Sequence, residues 1–342
     1  MAQTSSRTLI AIAVATVLTT SCGGSSGPST NNNDNSGGDS DPAPGALTLT
    51  NYKQVVKDGY GGFGSLDESS TLFNEVAVFG AFGSISESAP ASGQSIAATC
   101  ESGSGSLTVT TASAAQLSPG NTIVEAYDNC QISSPKIDGS VTLDGQAELK
   151  ITKLSGDALS DSPTNGEFEL VMTFTDFTID ANTSGASGSF RLDGDLSIGL
   201  AASATKITAT LGTTDGLAMS ATDNGQTEQF NLKSMDMTVD TDVNETETVD
   251  MNFTYQDMVD GAATDITFET IVPFVIVKDA KYANQGKAKI TSSKGGAILL
   301  TANGDGETVR LEVDLNGDGV YDEVIEGAVP WSDLDPDAES GS

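Results

Sequence analysis

The residues best suited to chemistry lie near the C-terminus, in Asp314-Leu-Asn-Gly-Asp-Gly-Val-Tyr-Asp-Glu323. Asp314, Asn316, Asp318 and Asp322 supply side-chain oxygens at close spacing, and Gly319 allows a sharp turn among them. Hard oxygen donors in that pattern, joined by the Val320 carbonyl, suit a divalent cation such as calcium. Without a cation, the carboxylates of Asp314, Asp318 and Asp322 repel one another. Alternating apolar residues flank the run, Val309–Val313 before it and Val320–Ile325 after it, so it reads as the tip of a β-hairpin. A second loop of similar composition, Asn303-Gly-Asp-Gly306, reads as a plain tight turn.

The run resembles the first part of EF-hand and dockerin-type calcium loops. Asp314, Asn316 and Asp318 match the first three side-chain ligands, Gly319 the turn glycine, Val320 the carbonyl ligand and Asp322 the ligand after it. Ile325 stands where those loops carry a bidentate Glu, and the flanks are strands rather than helices. The resemblance implies a weak calcium site, with a Kd of roughly 10⁻⁴–10⁻³ M. No other cofactor is expected.

Composition removes other chemistries. The chain has 342 residues and no His, which excludes Ser-His-Asp and Cys-His triads and His-ligated zinc. Acid/base work would fall to carboxylates, Lys or Tyr. With 48 Asp+Glu the sequence singles out no catalytic pair, so catalytic residues are expected to be none. Only 15 Lys+Arg and a net charge of −33 argue against nucleic-acid binding, which needs clustered cations on phosphates.

The N-terminus sets the compartment. Arg7 begins a short positive region, Thr8–Leu18 is apolar but too short to span a bilayer, and Thr19-Thr-Ser21 leads to Cys22. This arrangement resembles bacterial Gram-negative lipoprotein precursors, although Leu18 sits one position before the usual lipobox Leu. The resemblance implies lipidation at Cys22 and a new N-terminus there. Gly23 stands where Asp would signal inner-membrane retention, so the resemblance implies anchoring at the outer membrane, which multiple acyl chains make stable. Residues 23–46 are Gly, Ser, Asn, Asp and Pro in the main, with too little apolar surface to pack. They read as a tether averaging roughly 25–30 Å.

The elements that must position any site follow. Residues 47–85 carry the helical spacing: Thr50 or Asn51 caps a short helix bearing Tyr52, Val55 and Val56, and a second helix runs over 69–82 with Leu72, Phe73, Val76 and Phe79 in line. Cys100 and Cys130 are the only cysteines after Cys22 and, in an exported chain, predict a disulfide. From Gly139 onward period-2 alternation dominates. Gly139-Ser-Val-Thr-Leu-Asp-Gly145 and Gly188-Ser-Phe-Arg-Leu-Asp-Gly194 echo each other, and each alternation continues through its second Gly, predicting one long strand across a bend. The parity switches between Phe174 and Phe177, and between Leu232 and Met235, which predicts two bulges. Pro273 in the apolar run 266–277 predicts an edge or another bulge.

These patterns predict a mainly β fold: a large curved antiparallel sheet, an open or half barrel, with one or two short N-terminal helices on its concave face. A β-sandwich is the alternative. The β domain spans 86–330 and an acidic tail 331–342. The functional expectation is a non-catalytic, outer-membrane-anchored lipoprotein that binds an apolar ligand or an envelope partner. The second reading is a calcium-stiffened surface adhesion or structural module, and the third a carboxylate-dependent hydrolase.

Overall fold

The computed structural model describes residues 44–57, 94–97, 100–110, 118–133, 139–158, 164–183, 187–223, 226–259, 261–322 and 324–334. These residues form a helical turn, α1 (52–57), and fifteen strands. The strands are β1 (Gln94–Ala97), β2 (Ser102–Thr110), β3 (Thr122–Ser133), β4 (Gly139–Gly156), β5 (Gly166–Thr183), β6 (Ser187–Ala202), β7 (Lys206–Thr213), β8 (Leu217–Asp223), β9 (Gln226–Asp242), β10 (Glu247–Val259), β11 (Ala262–Ile276), β12 (Gln285–Ser292), β13 (Ala297–Ala302), β14 (Thr308–Asp314) and β15 (Val324–Pro330). Each pairs antiparallel with the next in the chain, except that β7 and β8 lie end to end between β6 and β9. The result is one open meander of fourteen strand positions, with β1 and β15 as its edges. It is a single sheet, not closed into a barrel, as the long alternating runs predict.

A crease crosses this sheet from β2 to β9. Register shifts or breaks fall at Gly103, Asn129, Gly145, Asp176, the Thr214–Gly216 break and Lys233, strand after strand. The two bulges predicted from parity are at Asp176 and Lys233. The echoed Leu-Asp-Gly triplets flank Asp176 on either side and have one job. Leu143 and Leu192 point into the core, exposed by 4% and 1%. Asp144 Oδ1 accepts from the bulged Asn129 N–H at 3.2 Å, and Asp193 Oδ1 accepts from the bulged Asp176 N–H at 3.1 Å. Gly145 (φ 88°) and Gly194 (φ 121°) follow, each with a neighbouring strand's carbonyl oxygen within 2.3 Å of where a Cβ would sit, so no larger residue fits. Asp195 holds the β7–β8 break, accepting from Thr213 Oγ1, Thr214 N–H and Asp215 N–H at 3.2, 3.0 and 2.6 Å.

The C-terminal strands are covered at both ends. Thr48 caps α1: its Oγ1 accepts from Asn51 N–H while Asn51 Oδ1 accepts from Thr48 N–H, a reciprocal cap that moves the expected capping residue two or three positions back. Tyr52, Val55 and Val56 are buried, and Tyr52 and Lys53 both engage Glu326 of β15. At the opposite end Trp331 follows β15. It donates from Nε1 to the Ala283 carbonyl at 3.2 Å, stacks on Tyr282 and meets Phe274 edge-on, both rings at 6.3 Å. In a flat sheet β11 and β15 would stand about 19 Å apart, so these contacts require the sheet to curl.

One expectation needs adjustment. β15 starts at Val324, not Val320, because the Asp314 loop is longer than a two-residue turn. β7 and β8 carry no strong apolar signal in the sequence, yet they fill the centre of the sheet. Pro273 lies at a bulge of β11, one of the two placements expected for it, in an interior strand. The second helix over 69–82 and Cys22 fall outside the described residues.

Candidate functional site

The Asp314 loop is organised by its own side chains. Asp314 is 2% exposed; its Oδ1 accepts from Gly317 N–H at 2.6 Å and its Oδ2 from Gly319 N–H at 2.9 Å. Asn316 Oδ1 accepts from Asp318 N–H, and Asp318 Oδ1 from Val320 N–H, both at 2.8 Å. Gly317 and Gly319 take left-handed conformations, φ 75° and 85°, that let the chain wind round the Asp314 carboxylate. Asp322 is exposed beyond the turn. The side-chain oxygens of Asp314, Asn316 and Asp318 are therefore turned to backbone amides. Among the described residues no group of three or more Asp, Glu, Cys or His side chains is disposed to hold a metal ion.

Cys100 and Cys130 are bonded, with Cα atoms 5.2 Å apart. The bridge ties the start of β2 to β3 beside the crease at Asn129, and Cys130 is fully buried.

The other feature with chemical potential is the inner face of the sheet. Residues from adjacent strands form continuous apolar rows across it. One runs Leu154, Phe168, Leu200, Ala209, Val239, Val249, Phe274 from β4 to β11. The next runs Ile151, Leu170, Ile198, Leu211, Met237, Met251. Leu154, Ala209, Val239, Val249 and Met237 in these rows remain half-buried. The corresponding residues of β12–β14, among them Ile290, Ile298, Leu300 and Leu311, are wholly buried.

One residue breaks the apolar rule. In the row Ala147, Phe174, Gly194, Leu217, Leu232, Tyr255, Ile266, the β3 position is Glu125. It is 4% exposed, and its Oε1 has no hydrogen-bond partner. Tyr127, two residues along the same face, donates from its hydroxyl to Glu125 Oε2 at 3.2 Å. Ile123, Ala147, Leu149, Met172, Phe174 and Phe177 wall a small cleft beside the carboxyl. Burial in these surroundings pushes the Glu125 carboxyl up to about 7, against the smaller opposing effect of the Tyr127 hydrogen bond. The same burial, together with the nearby Glu125 charge, raises the Tyr127 phenol.

Glu125 does not stand out in the sequence. Its strand reads Ile-Val-Glu-Ala-Tyr, apolar on both parities, which disguises which face is inside. The usable signal was Ile123 and Tyr127 flanking it at period 2. No known family model matches the chain, and no curated protein or solved structure is significantly similar to it.

Proposed function

We propose that this chain is a non-catalytic envelope lipoprotein, held at the outer membrane through Cys22, whose inner sheet face binds an apolar ligand. The observation that carries the reading is the half-buried apolar row from Leu154 through Ala209, Val239 and Val249. A row of that length left partly open to solvent on one side of a sheet is surface suited to an apolar partner. The leader and Cys22 support an exported, anchored location, and the Cys100–Cys130 disulfide fits an oxidising compartment.

Two measurements test it. Nile red added to detergent-free protein gives saturable fluorescence, and Val239→Asp or Ala209→Asp weakens it by about tenfold or more while the far-ultraviolet spectrum stays native. Absence of saturable binding by the native chain would refute the ligand-binding reading. Radiolabelled palmitate enters the native chain and not Cys22→Ala; equal labelling of both would refute the anchor.

A further inference from the structure

We infer that Glu125 and Tyr127 form a polar head-group subsite within the apolar inner face, selecting a single-chain amphiphile that carries a primary amine. This rests on the ligand-binding reading above and adds the chemical class of the ligand.

Three observations lead there. Glu125 is the one acidic side chain in a cross-strand row that is otherwise apolar, apart from Gly194 and the Tyr255 hydroxyl, between β3 and β11. Its Oε2 is already engaged by the Tyr127 hydroxyl, which leaves Oε1 as an acceptor beside the cleft. That cleft is narrow and almost wholly apolar, with space on the scale of a water molecule, which an ammonium group matches and a quaternary ammonium exceeds. The alkyl tail would lie along Leu149 and Met172 toward the half-buried rows.

Charge favours a cationic head over an anionic one. The chain carries −33, and the titratable groups on the inner face beside the cleft are Glu125 and Tyr127 from β3; Glu148 from β4 borders it with its side chain on the outer face by strand alternation, and β5 contributes Met172, Phe174 and Phe177. No cation faces Glu125 among the groups that line the cleft. A buried carboxylate without a cationic partner is costly, so the fold holds this group protonated more firmly than water does. An ammonium that donates to Oε1 supplies the missing partner. Below pH 7 the Glu125 proton then leaves to solvent as the ion pair forms, one proton for each amine bound.

The test uses the full chain in buffer and four probes below their micelle concentrations. Dodecanol reports the apolar face alone, dodecylamine adds the fitting head, and dodecyltrimethylammonium adds the same charge on a head that neither fits nor donates. Dodecanoate carries the opposite charge. Calorimetry is expected to find dodecylamine bound about tenfold or more tightly than the quaternary probe, as a charge-assisted hydrogen bond implies, and dodecanoate weakest. In Glu125→Gln the two cations bind alike. At pH 6 the amine heat depends on the ionisation enthalpy of the buffer and the quaternary heat does not. Equal affinity of the two cations for the native chain, or a preference that survives in Glu125→Gln, overturns the subsite. Failure of dodecanol as well as the cations would overturn the underlying ligand-binding reading too; dodecanol binding without amine preference overturns the subsite alone.

Discussion

The two ends of this meander use one strand pattern to different effect. In β12–β14 the inner side chains Ala288, Ile290, Ile298, Leu300, Val309, Leu311 and Val313 have no exposed surface. In β4, β7 and β9 the inner positions Ala147, Leu149, Ile207, Ala209 and Met237 are half-buried. Alternation is as clear in β4 and β9 as in β12–β14, so the strand pattern does not account for the difference. It lies in what covers them. The C-terminal strands receive α1 from one end and Trp331 from the other, and the sheet curls tightly enough for Trp331 to reach Phe274. The creased half bends through backbone bulges, which turn a sheet without adding side chains to fill the space inside the bend. Among the described residues, the inner face is wholly buried where this cover lies and half-buried where it does not.

Trp331→Ala attacks the covered half and has the largest expected effect. It removes a fully buried indole and its hydrogen bond to Ala283, and destabilises by about 3–5 kcal/mol. Leu149→Ala, on the half-buried wall, costs well under half as much. Urea titration of the two variants checks the contrast; equal losses would mean that the two halves are packed alike.

Protonation probes the creased half at Glu125. Its folded pKa, about 7, stands above the ordinary value of 4.5, so the fold holds the proton more firmly than the unfolded chain does. The resulting stability is complete below about pH 4.5 and is lost as pH rises through about 7, a change of roughly 3 kcal/mol. Glu125→Gln is expected to abolish this slope, seen as the difference in unfolding free energy between variant and native chain from pH 5 to pH 8. Carboxylates held low, such as Glu169 beside Lys153 and Asp240 beside Thr208 and Lys206, act with the opposite sign. Their stability is present above the ordinary carboxylate range and is lost on acidification, so they leave the pH 5–8 difference clean. A flat difference would show that Glu125 is solvated in both states.

The smallest effect is expected at the crease. Asp193→Ala leaves the bulged Asp176 N–H without its carboxylate acceptor and costs about 1–2 kcal/mol. Asp144→Ala should cost a similar amount through Asn129. Hydrogen exchange at Asp176 and Asn129 should quicken in each variant at its own bulge and not at the β12–β14 ladder. Faster exchange across β12–β14 as well would mean that crease and cover are one cooperative unit.

Much of this architecture was legible because period 2 is a direct consequence of strand geometry. A one-residue change of parity between Phe174 and Phe177, or between Leu232 and Met235, has no explanation in a strand except an extra residue, and bulges stand at both. The cysteine pair was legible because only two cysteines follow Cys22. β7 was hard to see because its inner positions include Ala209 and Thr213, which contrast weakly with their neighbours, and β8 because it is short. The Asp314 loop was legible as a turn, but its ligand-like spacing could not reveal that the Asp314 oxygens point at Gly317 and Gly319.

The sequence by itself determined the strands, the bends within them and the covalent bridge, since each depends on residues close in the chain or on the scarcity of one residue type. It also determined the acidic balance that argues against nucleic acid. Tertiary structure alone decided that two Leu-Asp-Gly triplets serve one crease, and that Glu125 faces inward with no cation among the described groups that line its cleft. These are outcomes of register between strands, and register places a side chain among neighbours that no pattern within one strand names.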